Sequence, residues 1–124
     1  MRALLLLLAT GGLACAGCST SKIPPETDAA RGREVLKTVL DTWKRGGTID
    51  ELKKGTPAAQ VRDPDWAAGH KLTDYEIAPE DGRLGVDLLL TVKLTLTRAD
   101  GRVQEKKVSY IVAIGAATVV ARNE

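Results

Sequence analysis

Hydrophobic and polar positions alternate most regularly between residues 86 and 97. There Val86, Leu88, Leu90, Val92, Leu94 and Leu96 are interleaved with Asp87, Leu89, Thr91, Lys93, Thr95 and Thr97. A period of two sustained over this length predicts a long strand with one face buried. The same period returns at Val108, Tyr110, Val112 and Ile114, between Lys107, Ser109, Ile111 and Ala113, and predicts a second long strand. Ala99-Asp100-Gly101-Arg102 makes the turn between the two, and Gly115-Ala116-Ala117 makes a shorter one before a last strand over Thr118 to Arg122. Upstream, Lys71 to Ala78 reads as a strand. The stretch Pro79-Glu80-Asp81-Gly82-Arg83 follows as a turn, with Gly82 where a positive φ is expected. Connections this short predict antiparallel pairing between neighbours.

The period changes further towards the N-terminus. From Asp28 to Arg45, Val35, Leu36, Val39, Leu40 and Trp43 recur at spacings of three and four, which predicts an amphipathic helix with Trp43 on its core stripe. Thr27 or Asp28 can cap its start, and Gly46-Gly47 stops it. Thr48-Ile49-Asp50-Glu51 fits a capping box and predicts a second, very short helix ending before Gly55. Residues 56–70, with Pro57, Pro64 and Gly69, read as an irregular crossing with His70 at its end. The expected fold is α+β: one long helix packed on a four-stranded antiparallel sheet. This element order over residues 28–122 resembles the cystatin-like and NTF2-like rolls, in which a curved antiparallel sheet cradles a long helix. The resemblance is carried by order alone, without a diagnostic motif. The stretch from Asp63 to Tyr75 is similar to segments of small uncharacterised bacterial lipoproteins, which implies a shared shape and no assigned activity.

The two cysteines change the picture. They sit in Cys15-Ala16-Gly17-Cys18-Ser19, after a single basic residue, Arg2, an apolar run from Ala3 to Ala9, and small residues up to Ala14. Charge, apolar stretch and small residues in that order are the layout of a secretory signal peptide. Ala16-Gly17-Cys18-Ser19 resembles the lipobox of bacterial lipoproteins, where the cysteine receives diacylglycerol and the chain is cut before it. On this reading residues 1–17 are the signal peptide, 18–27 the lipidated N-terminus and tether, and 28–124 a single α+β domain. Cys15 stands where the lipobox usually has an aliphatic residue, so cleavage before Cys15, after Gly12-Leu13-Ala14, is the alternative. A redox C-x-x-C should open a helix after a strand rather than close a leader, and zinc would need two further ligands where His70 is the lone histidine. The resemblance implies a protein held at the cell envelope through a diacylglyceryl cysteine, facing the periplasm or on the outer membrane, which Ser19 favours. Its partners are then the membrane and an envelope protein. Lys and Arg are scattered among Asp and Glu at a formal net charge of +2, which argues against nucleic acid as a partner.

Candidate chemistry is sparse, and no cofactor, metal site or catalytic set is expected. His70 is the natural general base, with Asp74 or Asp65 to orient it and Tyr75 to donate to an oxyanion. In a regular strand, however, His70, Leu72 and Asp74 share one face and Tyr75 points to the other. Read without function, His70 is a surface or loop residue. Trp66 is either an exposed anchor for a partner or a cap on the end of a core that has no Phe and only 3% aromatic residues. No glycine pattern cradles phosphate, no paired carboxylates fall in a segment that looks buried, and Glu105-Lys106-Lys107 reads as a solvated edge. Two functions follow from different classes. One is a non-enzymatic binding or structural module of the envelope, with Thr118 to Arg122 as an exposed edge for a partner strand. The other is an NTF2-like pocket protein that binds or transforms a small apolar ligand, with Trp66, His70, Asp74 and Tyr75 as contacts. The large aliphatics of residues 86–96 favour a filled core and hence the first.

Overall fold

The computed structural model describes residues 25–124; the expected signal peptide, Cys15, Cys18 and most of the expected tether lie outside the described residues. The described chain runs α1 (Ala29–Lys44), α2 (Ile49–Lys53), β1 (Ala59–Arg62), α3 (Pro64–Ala67), β2 (Lys71–Leu84), β3 (Asp87–Thr97), β4 (Val103–Ile114) and β5 (Thr118–Asn123). It is α+β, but the sheet has five strands in the order β1-β5-β4-β3-β2, and it is mixed because β1 pairs parallel to β5. The expected four-stranded antiparallel sheet is thus corrected by one strand, and α1 is accompanied by two short helices. β1 lay inside the segment read as an irregular crossing. Four residues are too few to show a period, and this strand is fixed by a partner almost sixty positions away (Ala59 opposite Thr118) rather than by its own pattern.

Helix α1 starts where Asp28 accepts a hydrogen bond from the Ala30 amide at 3.2 Å. Thr27 does something else. Its N–H donates to the Val86 carbonyl at 2.9 Å, its Oγ1 accepts from the Ile114 amide at 3.3 Å, and its carbonyl accepts from Arg83 at 2.5 Å. Residue 27 is therefore locked into one end of the sheet. In α2, Thr48 Oγ1 accepts from the Glu51 amide at 3.1 Å, as the capping pattern predicts.

The core lies between α1 and the inner face of the sheet. Leu88, Leu90, Val92, Leu94 and Leu96 of β3 are each 0% exposed, and Leu36, Val39, Leu40 and Trp43 of α1 close over them together with Val112 and Val120. Full burial of a side chain this size is worth about 1.5–3 kcal/mol, so these positions dominate stability.

Strand β2 departs from the expected reading twice. A bulge at Thr73-Asp74 shifts its phase, so that Leu72 (opposite Leu96) and Tyr75 (opposite Leu94) both face α1. The expected opposition of Leu72 and Tyr75 is thereby overturned. Further on, Ala78, Pro79 and Glu80 face a single residue, Thr91, so the stretch expected to turn is a second bulge within a continuing strand. Arg33 of α1 holds it, donating to the carbonyls of Ala78 (2.9 Å) and Pro79 (2.8 Å) and to Asp81. The turn itself falls after Leu84, where Gly85 has φ +63°.

Gly32 lies on the buried face of α1, and a Cβ there would collide with the Leu88 side chain. A Gly in a helix interior ordinarily gains about 1 kcal/mol on becoming Ala. Here the fully packed Leu88 leaves no room, and overpacking costs about 1–3 kcal/mol. Gly32→Ala is therefore expected to lower stability by about 1 kcal/mol in urea titration, whereas a gain would mean that Leu88 can yield.

Candidate functional site

The densest chemistry gathers where β1 ends. Asp63 leaves the strand in extended conformation, and Pro64 at the first helical position starts the single turn of α3. Asp63 Oδ1 accepts from the amides of Asp65 (2.9 Å) and Trp66 (3.2 Å) as the helix cap and also from Arg122 Nη2 at 2.7 Å. Its other oxygen accepts from the Tyr110 hydroxyl. Asp65 is nearly as enclosed. Its Oδ2 accepts from Lys106 Nζ (3.0 Å) and Arg122 Nη2 (2.8 Å), while its Oδ1 lies 3.2 Å from His70 Nδ1. Arg122, with a side chain only 3% exposed, also donates to Glu124 at 2.9 Å and lies 5.4 Å from the Tyr110 ring centre. Its Nε is buried without a protein partner.

The electrostatics follow from this enclosure. Burial works against ionisation of Asp65, but hydrogen bonds and charge from Lys106 and Arg122 outweigh it and hold the carboxyl below its ordinary 3.8. Burial and the neighbouring Asp63 carboxylate push the Tyr110 hydroxyl well above its ordinary value, so it remains a donor. Every carboxylate oxygen of the pair has at least one partner. An ion-pair network this closed holds backbone segments together, and its carboxylates are committed to protein donors rather than turned to an open site.

The four residues singled out from the sequence are distributed unevenly around this cluster. Trp66 is buried, not an exposed anchor: its ring stacks on Trp43 of α1 with centroids 5.2 Å apart and planes 7° from parallel. His70 is drawn to Asp65 rather than Asp74, and its carbonyl accepts from Trp43 Nε1 at 2.9 Å. Asp74 is exposed, and its one ion pair, with Lys44 at 3.7 Å, is also exposed. Tyr75 donates to Asp41 of α1 at 2.6 Å. Its burial and that carboxylate raise its pKa well above the ordinary range. Trp66 and His70 thus meet around Asp65, while Asp74 and Tyr75 belong to the seam between α1 and β2.

Three expectations are corrected. Asp63 and Asp65 are paired carboxylates in a buried segment. Lys106 turns inward to Asp65 instead of extending a solvated edge. Thr118 to Arg122 is not an exposed edge, since β5 lies between β4 and β1. An open groove of about 450 Å³ runs beside the cluster, with Ile49, Val61 and Ala67 on its walls and Asp63, Arg122 and Glu124 at its margin. Among the described residues no three or more His, Cys, Asp or Glu side chains converge as a metal site, and no helix is long and apolar enough to cross a membrane.

Removing Asp63 leaves Arg122 and Tyr110 buried with lost partners, so Asp63→Ala is expected to cost about 3–5 kcal/mol, read from chemical denaturation at neutral pH. The Asp65 contribution has a definite pH sign. A carboxyl depressed in the folded state contributes stability above its ordinary 3.8 and loses it as pH falls through the lower folded value. The gap between the parent protein and Asp65→Asn should therefore be full at neutral pH and shrink on acidification below about pH 4. A gap that widens on acidification would contradict the assignment.

Comparison of the chain with protein-family models, with curated proteins and with solved structures finds no match, and the site is interpreted from its geometry.

Proposed function

We propose that this protein is a lipid-anchored module of the bacterial cell envelope that acts by binding or by structural support, without chemistry of its own. The observation that carries the reading is the filling of the space between α1 and the sheet. Leu36, Leu40, Leu88, Leu90 and Leu94, all at most 1% exposed, occupy the concavity that a roll of the cystatin-like or NTF2-like kind would use as a pocket. A pocket protein for small apolar ligands needs that space open, so this alternative has less support. The closure of the Asp63–Asp65–Arg122 network on itself supports the same reading.

Strand addition is not the favoured mode of partner binding. One sheet edge, β1, is four residues long. The other, β2, is interrupted by two bulges and by Pro79, the devices that protect an edge from pairing. A partner of this module is accordingly met by side chains on a rigid surface.

The anchor is tested in a bacterial host supplied with an alkyne fatty acid. Label is expected on the parent chain and on Cys15→Ser, and none on Cys18→Ser, whose precursor should accumulate uncut. The reverse pattern would move the anchor to Cys15. Label on none of the three would overturn the lipoprotein reading.

A further inference from the structure

A second groove, of about 490 Å³, lies at the end of the domain where Thr27 joins the sheet. Its walls include Arg31 of α1, Lys53 of α2, Ala58 and Gln60 of β1, and Ala116 and Ala117 of the β4–β5 turn. Neither Arg31 nor Lys53 takes part in an ion pair among the described residues. None of the described residues lining this groove is acidic. Four other surface grooves each carry at least one carboxylate: Asp63 and Glu124 in the first, Glu124 in another, and Asp50 in the remaining two. Two cations from different helices line one hollow together with three alanines and an amide side chain, a lining suited to a compact anion.

We infer that this groove binds an anionic phosphate group. Arg31 supplies a planar fork of donors and Lys53 a mobile point charge, a combination suited to a tetrahedral oxyanion. Its position suggests where the phosphate comes from, and this part rests on the lipoprotein reading. Thr27 is bonded to Ile114, which flanks the turn that walls the groove, and Thr27 lies nine positions after Cys18. Nine residues span at most about 30 Å, so a chain lipidated at Cys18 holds this end of the domain close to the bilayer surface. Leu84, 49% exposed at the β2–β3 turn, lies at the same end, next to the segment whose Val86 carbonyl receives the Thr27 amide. An exposed apolar side chain and two cations at one end of the domain suit the headgroup region of a membrane.

The test uses the processed full-length protein extracted from membranes, with its N-terminus defined by mass spectrometry. Backbone amide resonances of Ala58, Ala116 and Ala117 are followed during titration with inorganic phosphate. They are then compared in nanodiscs of phosphatidylcholine with and without phosphatidylglycerol. The expected result is saturable shifts at these residues with inorganic phosphate or with phosphatidylglycerol discs, weakened about fivefold for each cation removed in Arg31→Gln and Lys53→Gln. Both cations are on the surface, so the fold should survive. Ala117→Glu places a carboxylate at the groove wall and should abolish the shifts. A response confined to phosphatidylglycerol discs identifies a lipid headgroup, and one confined to inorganic phosphate identifies a soluble phosphate. No response to either, or one that persists in Arg31→Gln/Lys53→Gln, would overturn the inference. The mass measurement reads the anchor separately: an unlipidated protein whose groove still responds to phosphate would remove the lipoprotein reading and leave the site.

Discussion

The contact between Asp63 and Arg122 organises the domain. One carboxylate closes the end of β1, caps α3, receives the Tyr110 hydroxyl from β4 and pairs with the guanidinium of β5. Both side chains are almost wholly excluded from water. The cost of burying these charges is large, and it is met only because each has several hydrogen-bonded partners. The network contributes specificity: it sets the parallel register of β1 on β5, since only that register brings Asp63 to Arg122. From there the constraint passes to Trp66, whose amide is held by the Asp63 cap and whose ring lies on Trp43. Helix α1 is thus positioned at one end by an aromatic stack and along its length by aliphatic packing on β3.

The opposite end of α1 is fixed differently. Arg33 binds the carbonyls exposed by the β2 bulge, and Thr27 bridges the β2–β3 turn to the end of β4. These polar clasps replace what a longer apolar stripe would supply, because the first turn of α1 has little to bury beyond Gly32 and half-buried Ala29. A close approach at Gly32 lets the helix settle onto Leu88, and Arg33 next to it pulls the edge strand inward.

How much of this was legible depended on range. β3 and α1 were readable because their periods are unbroken and their inner positions, Leu88 to Leu96 and Leu36 to Trp43, all reach the core. β1 was not, since four residues carry no period and its partner is remote in sequence. Pro79 and Gly82 suggested a turn on local chemistry, but Arg33, far away in sequence, makes a bulge there instead. The buried cluster had left a trace. Arg122 stands two residues from Val120, and Lys106 two from Val108, each on the core-facing phase of its strand. A cation in that phase requires a buried acid, and Asp63-Pro64-Asp65 supplies two at a helix start. The Trp66–His70 neighbourhood could be guessed from nearness in sequence, whereas Tyr75 was assigned to the wrong face because the bulge before it reverses the alternation.

The strand order has a consequence for the time course of folding. Among the described strands β1 leaves the ribosome first, yet its hydrogen-bonding neighbour β5 is the last of them to emerge. Until then Asp63 and Asp65 lack their guanidinium and stay hydrated. Hairpins β2–β3 and β3–β4 can form from local contacts, but closing the chain over them requires its most distant parts to meet, a slow step with a large loop entropy. The domain is therefore built as a clasp: β1 has no strand partner until β5 is present.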